Sequence, residues 1–147
     1  MMKLKTYSLL IPLLLILASC DPAGESHEKF TGYVSVMETI IPDSGVVGQT
    51  VPVFARASAP NGCWSDLEIF LGKSVTDDTI YGISATGLYE SYNGLCTDII
   101  ISTDTTFGFK PDSSGTYIFI SYSSALIPSY DSIFIRDSVP RGRRVQK

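Results

Sequence analysis

The sequence predicts an all-β domain, a sandwich or barrel of about seven to nine short strands. Three observations lead there. Runs rich in Val, Ile, Thr, Tyr and Phe recur between clusters of Gly, Pro, Asn, Asp and Ser. Within several runs apolar and polar residues alternate with the period of two that a strand needs. No long stretch shows the 3.6-residue apolar period of an amphipathic helix.

The first run is Gly32 to Ile41, closed by the turn residues Pro42, Asp43, Ser44 and Gly45. The second, Thr50 to Ser58, sets Val51, Val53, Ala55 and Ala57 on one face; Pro52 suits a strand beginning or an edge. The third, Trp64 to Leu71, places Leu67, Ile69 and Leu71 opposite Asp66, Glu68 and Phe70. Thr79 to Glu90 is less regular and reads as one or two strands, and Asn93-Gly94 marks a tight turn, since both residues tolerate positive φ. Thr97 to Thr103 and Thr105 to Lys110 follow, the latter with Phe107 and Phe109 on one face. After the turn Pro111 to Gly115, Thr116 to Ser123 and Ser132 to Asp137 complete the domain.

The segment from Asp112 to Phe119, with Gly115 and Tyr117 at its centre, resembles the E–F corner of immunoglobulin-like domains, with one extra residue between the Asp and the Tyr. That resemblance implies an Ig-like antiparallel β-sandwich. The Tyr117 hydroxyl would bond back to upstream backbone, and Phe119 would take the core position that antibody domains give to a cysteine. Trp64 departs from the pattern, because its parity matches Asp66 and Glu68 and not Leu67 and Ile69, unless a bulge intervenes. Cys63 and Cys96 are not the antibody pair either, since no cysteine lies near Phe119.

At the other end of the sequence, Lys3 and Lys5 precede an apolar run from Leu9 to Ala18. A run of about ten residues is too short to span a bilayer and has the length of a signal-peptide core. Leu17-Ala18-Ser19-Cys20 resembles the lipobox of bacterial lipoprotein precursors. In that family the cysteine receives a diacylglycerol, the preceding peptide is cleaved, and the freed amine is acylated. The resemblance therefore implies a signal peptide over residues 1–19 and a membrane anchor on Cys20. Residues 20–30, polar and holding Pro22 and Gly24, read as the lipidated cysteine and a tether. Residues 31–139 form the β-sandwich domain, and residues 140–147 a basic, disordered tail. Pro60-Asn61-Gly62-Cys63-Trp64, the second cysteine and the late Gly115-Thr116-Tyr117 strand resemble small lipoproteins of Bacteroidetes-type bacteria. This implies a fold and an envelope address, with the outer membrane favoured, but no activity. Asp21 after the cysteine resembles an inner-membrane retention signal of proteobacteria, a rule that does not carry over to that group.

Taking 19 residues from 147 leaves 128, enough for one domain with a core. Residues 20–140 carry five Lys/Arg against fifteen Asp/Glu. An acidic body excludes nucleic acid as the expected partner. The tail from Pro140 to Lys147 holds four cations, and its contact with phosphate or headgroups is weighed against a frayed, solvated terminus. With Cys20 assigned to lipid, Cys63 and Cys96 remain as an even pair in an exported domain, which predicts a disulfide; the alternative is two buried free thiols.

Chemistry is sparse. The single histidine, His27, falls in the expected tether, where nothing would orient it as a base or ligand. Two spaced cysteines cannot supply a zinc site. Glu38, Asp66, Glu68 and Glu90 are the carboxylates available to an acid–base pair, and the alternative for them is a solvated surface. Asp43 and Asp77-Asp78 lack the alternating oxygen ligands of a calcium loop. No catalytic residue, metal or cofactor is expected. Trp64, Tyr89 and Tyr92 are the candidate ligand-contact aromatics, with Tyr81, Tyr122 and Tyr130 as further rings. Together they would serve an envelope protein or glycan, or else lie half-buried on sheet faces. The expected role is a non-catalytic binding or accessory module. The alternatives are a purely structural envelope lipoprotein or, remotely, a carboxylate-based hydrolase.

Overall fold

A computed structural model describes Gly24 and residues 26–138. The expected signal peptide, Cys20 and the basic tail lie outside the described residues. The described chain is all-β, with strands β1 (His27–Ile40), β2 (Ser44–Val46), β3 (Val51–Ala59), β4 (Trp64–Lys73), β5 (Ile80–Tyr92), β6 (Ile101–Phe109), β7 (Gly115–Tyr122) and β8 (Pro128–Arg136). They form one sheet in the order β2-β8-β7-β5-β1-β3-β6, with β4 on the second edge of β5.

Two pairings, β2 with β8 and β5 with β7, are parallel, and the remaining pairings are antiparallel. The sheet is therefore mixed, where an antiparallel sandwich is the expectation. The physical reason lies in how β5 is shared. Its residues Ile80 to Ile83 pair with β7, and the same edge from Ala85 to Tyr92 pairs with the first half of β1. The second half of β1 then turns to pair with β3 through a bulge between Val36 and Glu38. Side-chain bonds between elements that are not sheet neighbours record the resulting curl. The Thr39 hydroxyl of β1 donates to Asp131 of β8, and the Ser124 amide, in the β7–β8 loop, donates to Ser35 Oγ at 3.0 Å.

Inside the curl the period-two faces meet. Val51, Val53 and Ala55 pack with Ile83, Phe109, Tyr117, Phe119, Ile133 and Ile135 in one cluster. A smaller cluster of Val34, Ala57, Ala59 and Ala85 continues toward Trp64 and Leu67. Tyr81, Phe109 and Phe119 are mutually stacked or edge-on, with ring centroids 5.0 to 5.6 Å apart.

Several boundaries differ from the sequence reading. β1 begins at His27, so residues 27–30 belong to the sheet and not to a tether. The expected strands Thr97–Thr103 and Thr105–Lys110 are a loop followed by the single strand β6. Asp104 does not break β6, because it projects from the exposed face opposite Arg56 while Ile101, Thr103, Thr105, Phe107 and Phe109 keep one inner alternation. Asn93 and Gly94 do adopt positive φ, 56° and 66°, in the turn that follows β5. Pro52 lies ahead of Phe54, the first β3 residue matched to β1, so its missing N–H breaks no bond to that strand.

The corner after Pro111 forms as the sequence indicates. Tyr117 is buried, and its hydroxyl donates to the Ser113 carbonyl at 3.1 Å, with Ser113 Oγ at 2.9 Å. Phe119 is buried in the core two residues later. Replacing Tyr117 with Phe removes the hydroxyl and keeps the ring. It should lower unfolding free energy by about 1 kcal/mol, the usual worth of a partly buried hydrogen bond. Urea denaturation measures this, and an unchanged midpoint would show that the corner is held by ring packing alone.

Candidate functional site

One end of the domain gathers most of the chemically distinctive residues. There β3 ends, β4 and β6 begin, β5 ends, and β1 enters the sheet, since His27 is paired with Tyr92. The β3–β4 loop and the β5–β6 loop are joined by the Cys63–Cys96 disulfide, with Cα atoms 5.2 Å apart. The paired state is thus the one observed, not two free thiols. A staple closing 33 residues of sequence stabilises by roughly 3–4 kcal/mol in the chain-entropy account. The Gly62 amide adds a bond to the Thr97 carbonyl at 2.9 Å. A Cβ at that position would lie 2.0 Å from Thr97 Oγ1, so a larger residue there requires the Thr97 side chain to move.

Trp64 sits beside this staple, on the core side of β4. The parity objection is removed by a bulge: the β4–β5 register shifts between Ser65 and Glu68, and Asp66 takes a positive φ of 49°. The extra residue returns Trp64 to the face of Leu67 and Ile69, all three packed on the smaller core cluster. Beneath the indole, Gly32 of β1 is paired directly with Gly87 of β5. A Cβ on Gly32 would approach Trp64 Cη2 to 3.1 Å, and one on Gly87 would approach Trp64 Cε3 to 3.2 Å and Leu67 Cδ2 to 3.0 Å. The glycine pair is a shallow seat that lets the large ring cover two bare stretches of backbone.

Tyr89 joins Trp64 edge-on at 5.4 Å and stacks on Phe30 at 4.9 Å; Phe30 meets Trp64 edge-on at 6.0 Å. The Tyr89 hydroxyl lies 3.5 Å from Cys96 Sγ, tying the rings to the staple. Trp64 and Tyr89 are half-buried, whereas Phe30 is 48% exposed and forms the open rim. Phe30 was not among the sequence candidates. Its alternation with Gly32 and Val34 was the available signal, hidden by the polar residues before it.

Tyr92 does not belong to this group. Strand alternation carries it to the opposite face, where its ring stacks on His27 with centroids 4.4 Å apart and planes 11° from parallel. His27 Nε2 is 2.9 Å from Glu90 Oε1, and Lys29 Nζ donates to Glu90 Oε2 at 2.9 Å. Asn93 fastens the chain just ahead of β1: the Ser26 amide donates to Asn93 Oδ1 at 2.8 Å, and the Asn93 amide to the Ser26 carbonyl at 2.6 Å. His27 is therefore oriented, contrary to its expected place in a tether. Its partner is a carboxylate already bonded to a lysine.

The other sequence candidates are dispersed. Glu38 forms an ion pair with Arg56 at 3.1 Å, and Asp66 and Glu68 are exposed on β4. Asp77 accepts from the Thr79 amide and hydroxyl, which holds its carboxyl below the usual range, and Asp78 pairs with Lys73 at 2.8 Å. Tyr81 is packed against Phe109 and Phe119, while Tyr130 is exposed on β8. Among the described residues no group of three or more His, Cys, Asp or Glu is arranged to hold a metal.

Two tests follow from this geometry. Gly87→Ala should push Trp64 off its seat, lowering stability by roughly 1–3 kcal/mol through overpacking. It should also red-shift the emission of the chain's one tryptophan. An unshifted spectrum would mean the indole does not rest there. Separately, hydrogen bonds from Lys29 and then His27 hold the Glu90 carboxyl below its ordinary value. The stability this adds is present at neutral pH, where Glu90 is ionised folded or unfolded, and is lost as pH falls through the depressed value. Amide exchange at Ser26 and Asn93 should accelerate across that acid window in wild type, beyond the intrinsic pH effect. In Glu90→Gln the added acceleration should vanish.

Comparison with protein-family models, with curated proteins and with solved structures yields no match to this chain.

Proposed function

We propose that the protein is a lipid-anchored envelope lipoprotein whose β-domain acts as a non-catalytic binding or accessory module. The anchor rests on the residues Leu17-Ala18-Ser19-Cys20 and the charged, apolar segment before them. The Tyr117–Ser113 bond supports an Ig-like reading of the corner, while the parallel β5–β7 pair departs from an antiparallel sandwich. The observation that carries the binding role is the cluster of Phe30, Trp64 and Tyr89. These rings are fixed by the disulfide and open on the Phe30 side. Pre-ordered, half-exposed aromatic rings suit the face of a glycan or an apolar anchor of an envelope protein, because little entropy is lost when they are covered. The acidic body does not suit nucleic acid.

A structural role for the envelope is the second reading. It is favoured by the way Tyr81 and Tyr117 are consumed in the core and Tyr92 is set apart from Trp64 and Tyr89. A hydrolase is disfavoured by the engagement of Glu38 and Glu90 with cations.

Two measurements test the proposal. Metabolic labelling with a palmitate analogue should mark the wild-type protein and not Cys20→Ala; equal labelling would refute the anchor. Affinity capture from envelope extracts should enrich a protein or glycan on wild type at least several-fold over Phe30→Ala, which opens no core cavity. Equal recovery would leave the structural reading standing.

A further inference from the structure

The loop between β5 and β6 carries the most exposed apolar side chains at the disulfide-bound end. Leu95 is 79% exposed, Ile100 76% and Ile99 54%. Within residues 93–100 only Asp98 is charged. Tyr92, 56% exposed, stands at the start of the loop and is bridged to Leu95. The loop cannot relieve this exposure by folding inward, because Cys96 is bonded to Cys63 and the Thr97 carbonyl accepts from Gly62. A rigid loop that holds Leu and Ile side chains in solvent is unusual in a free domain and marks a surface that is covered in use.

The path of the chain says what covers it. Ser26 is hydrogen-bonded in both directions to Asn93, the first residue of this same loop. Only six residue steps separate Ser26 from Cys20, a reach of at most roughly 20 Å of extended chain. A lipid on Cys20 therefore draws this end of the domain, and no other, to the bilayer. We infer that the β5–β6 loop is seated in the interfacial layer of the membrane, with Leu95, Ile99 and Ile100 inserted among the lipids and Tyr92 at headgroup level. This rests on the lipid anchor of the proposed function and adds to it a fixed orientation. Interfacial insertion of this kind is driven by buried apolar area, and it suits a zwitterionic surface better than an anionic one, given the acidic body. The alternative cover is a second copy of the chain.

The test uses the acylated protein reconstituted in phosphatidylcholine vesicles with or without bromine on the acyl chains. An Ile100→Trp variant supplies an emitter in the loop, and Val75→Trp supplies one in the β4–β5 turn at the opposite end, where Val75 is fully exposed. Trp64, common to both, is subtracted using the wild type. The emission added by Ile100→Trp should fall at least twofold with brominated lipid, and that of Val75→Trp should not change. Adding Leu95→Ser and Ile99→Ser to the Ile100→Trp variant should abolish most of the quenching. Equal quenching at both positions, or none at either, overturns the inference. So does a loop emission that shifts to the blue with protein concentration and without lipid, which identifies a second copy as the cover. Acylation of Cys20 is read by mass on the same preparation. Its absence removes the anchor reading itself, whereas an acylated, unquenched loop removes only the docking.

Discussion

The sharing of one edge of β5 is the constraint on which the architecture depends. β4 lies along the other edge, so β5 cannot accept both β7 and β1 except in series, and it does: Ile80 to Ile83 for β7, Ala85 to Tyr92 for β1. β7 runs parallel to β5 and β1 antiparallel, so the handover changes the strand direction as well as the partner. That handover leaves the second half of β1 free to bulge at Met37 and pair with β3. The curl that encloses the two apolar clusters follows from it. A flat sheet of the same strands would leave Val53, Ala57, Ile83 and Ile133 facing water, at a cost of roughly 25 cal/mol for each Å² of apolar surface.

The second organising element is the disulfide-bound end. Loops are ordinarily the least ordered parts of a β-domain. Here the Cys63–Cys96 bond, the Gly62–Thr97 bond and the Ser26–Asn93 pair tie two loops and the entering chain into one body. The aromatic rings then need little further support. Trp64 lies on paired glycines and braces Tyr89, and Tyr89 braces Phe30. The adjacent outer face is held differently, by the Lys29–Glu90–His27 array, which is exposed and contributes orientation more than stability.

What was legible in the sequence was whatever depends on local alternation or local turn chemistry. The inner face of β3, the Phe107 and Phe109 end of β6, the Asn93-Gly94 turn and the Tyr117 corner with Phe119 were all readable within about ten residues of chain. The cysteine pair was readable by counting. What was hidden depends on partners far away in the chain. β2, three residues long, exists because Ser44 to Val46 finds the edge of β8, and no local pattern announces that. The start of β1 at His27 was masked by polar residues that belong to an outer face. The side of the sheet on which Trp64 lies was decided by one inserted residue at Ser65 to Glu68, which inverted an otherwise sound parity argument. The candidate site divided accordingly: Trp64 and Tyr89 converge with Phe30, and Tyr92, three residues from Tyr89, is carried to the other surface.

The direction of β8 has one more consequence. β5 runs from Ile80 to Tyr92 away from the far end, β7 runs alongside it, and β8 returns, so Arg136 finishes beside Gly115 at the end remote from Asn93. A strand of thirteen residues spans roughly 40 Å. The described chain thus enters the domain at one pole and leaves it near the other, with the length of β5 between them. Whatever follows β8 therefore starts its path at the pole remote from the Cys63–Cys96 staple. Material joined after Arg136 and material inserted in the β5–β6 loop would thus lie at opposite poles of the sheet, out of reach of one another.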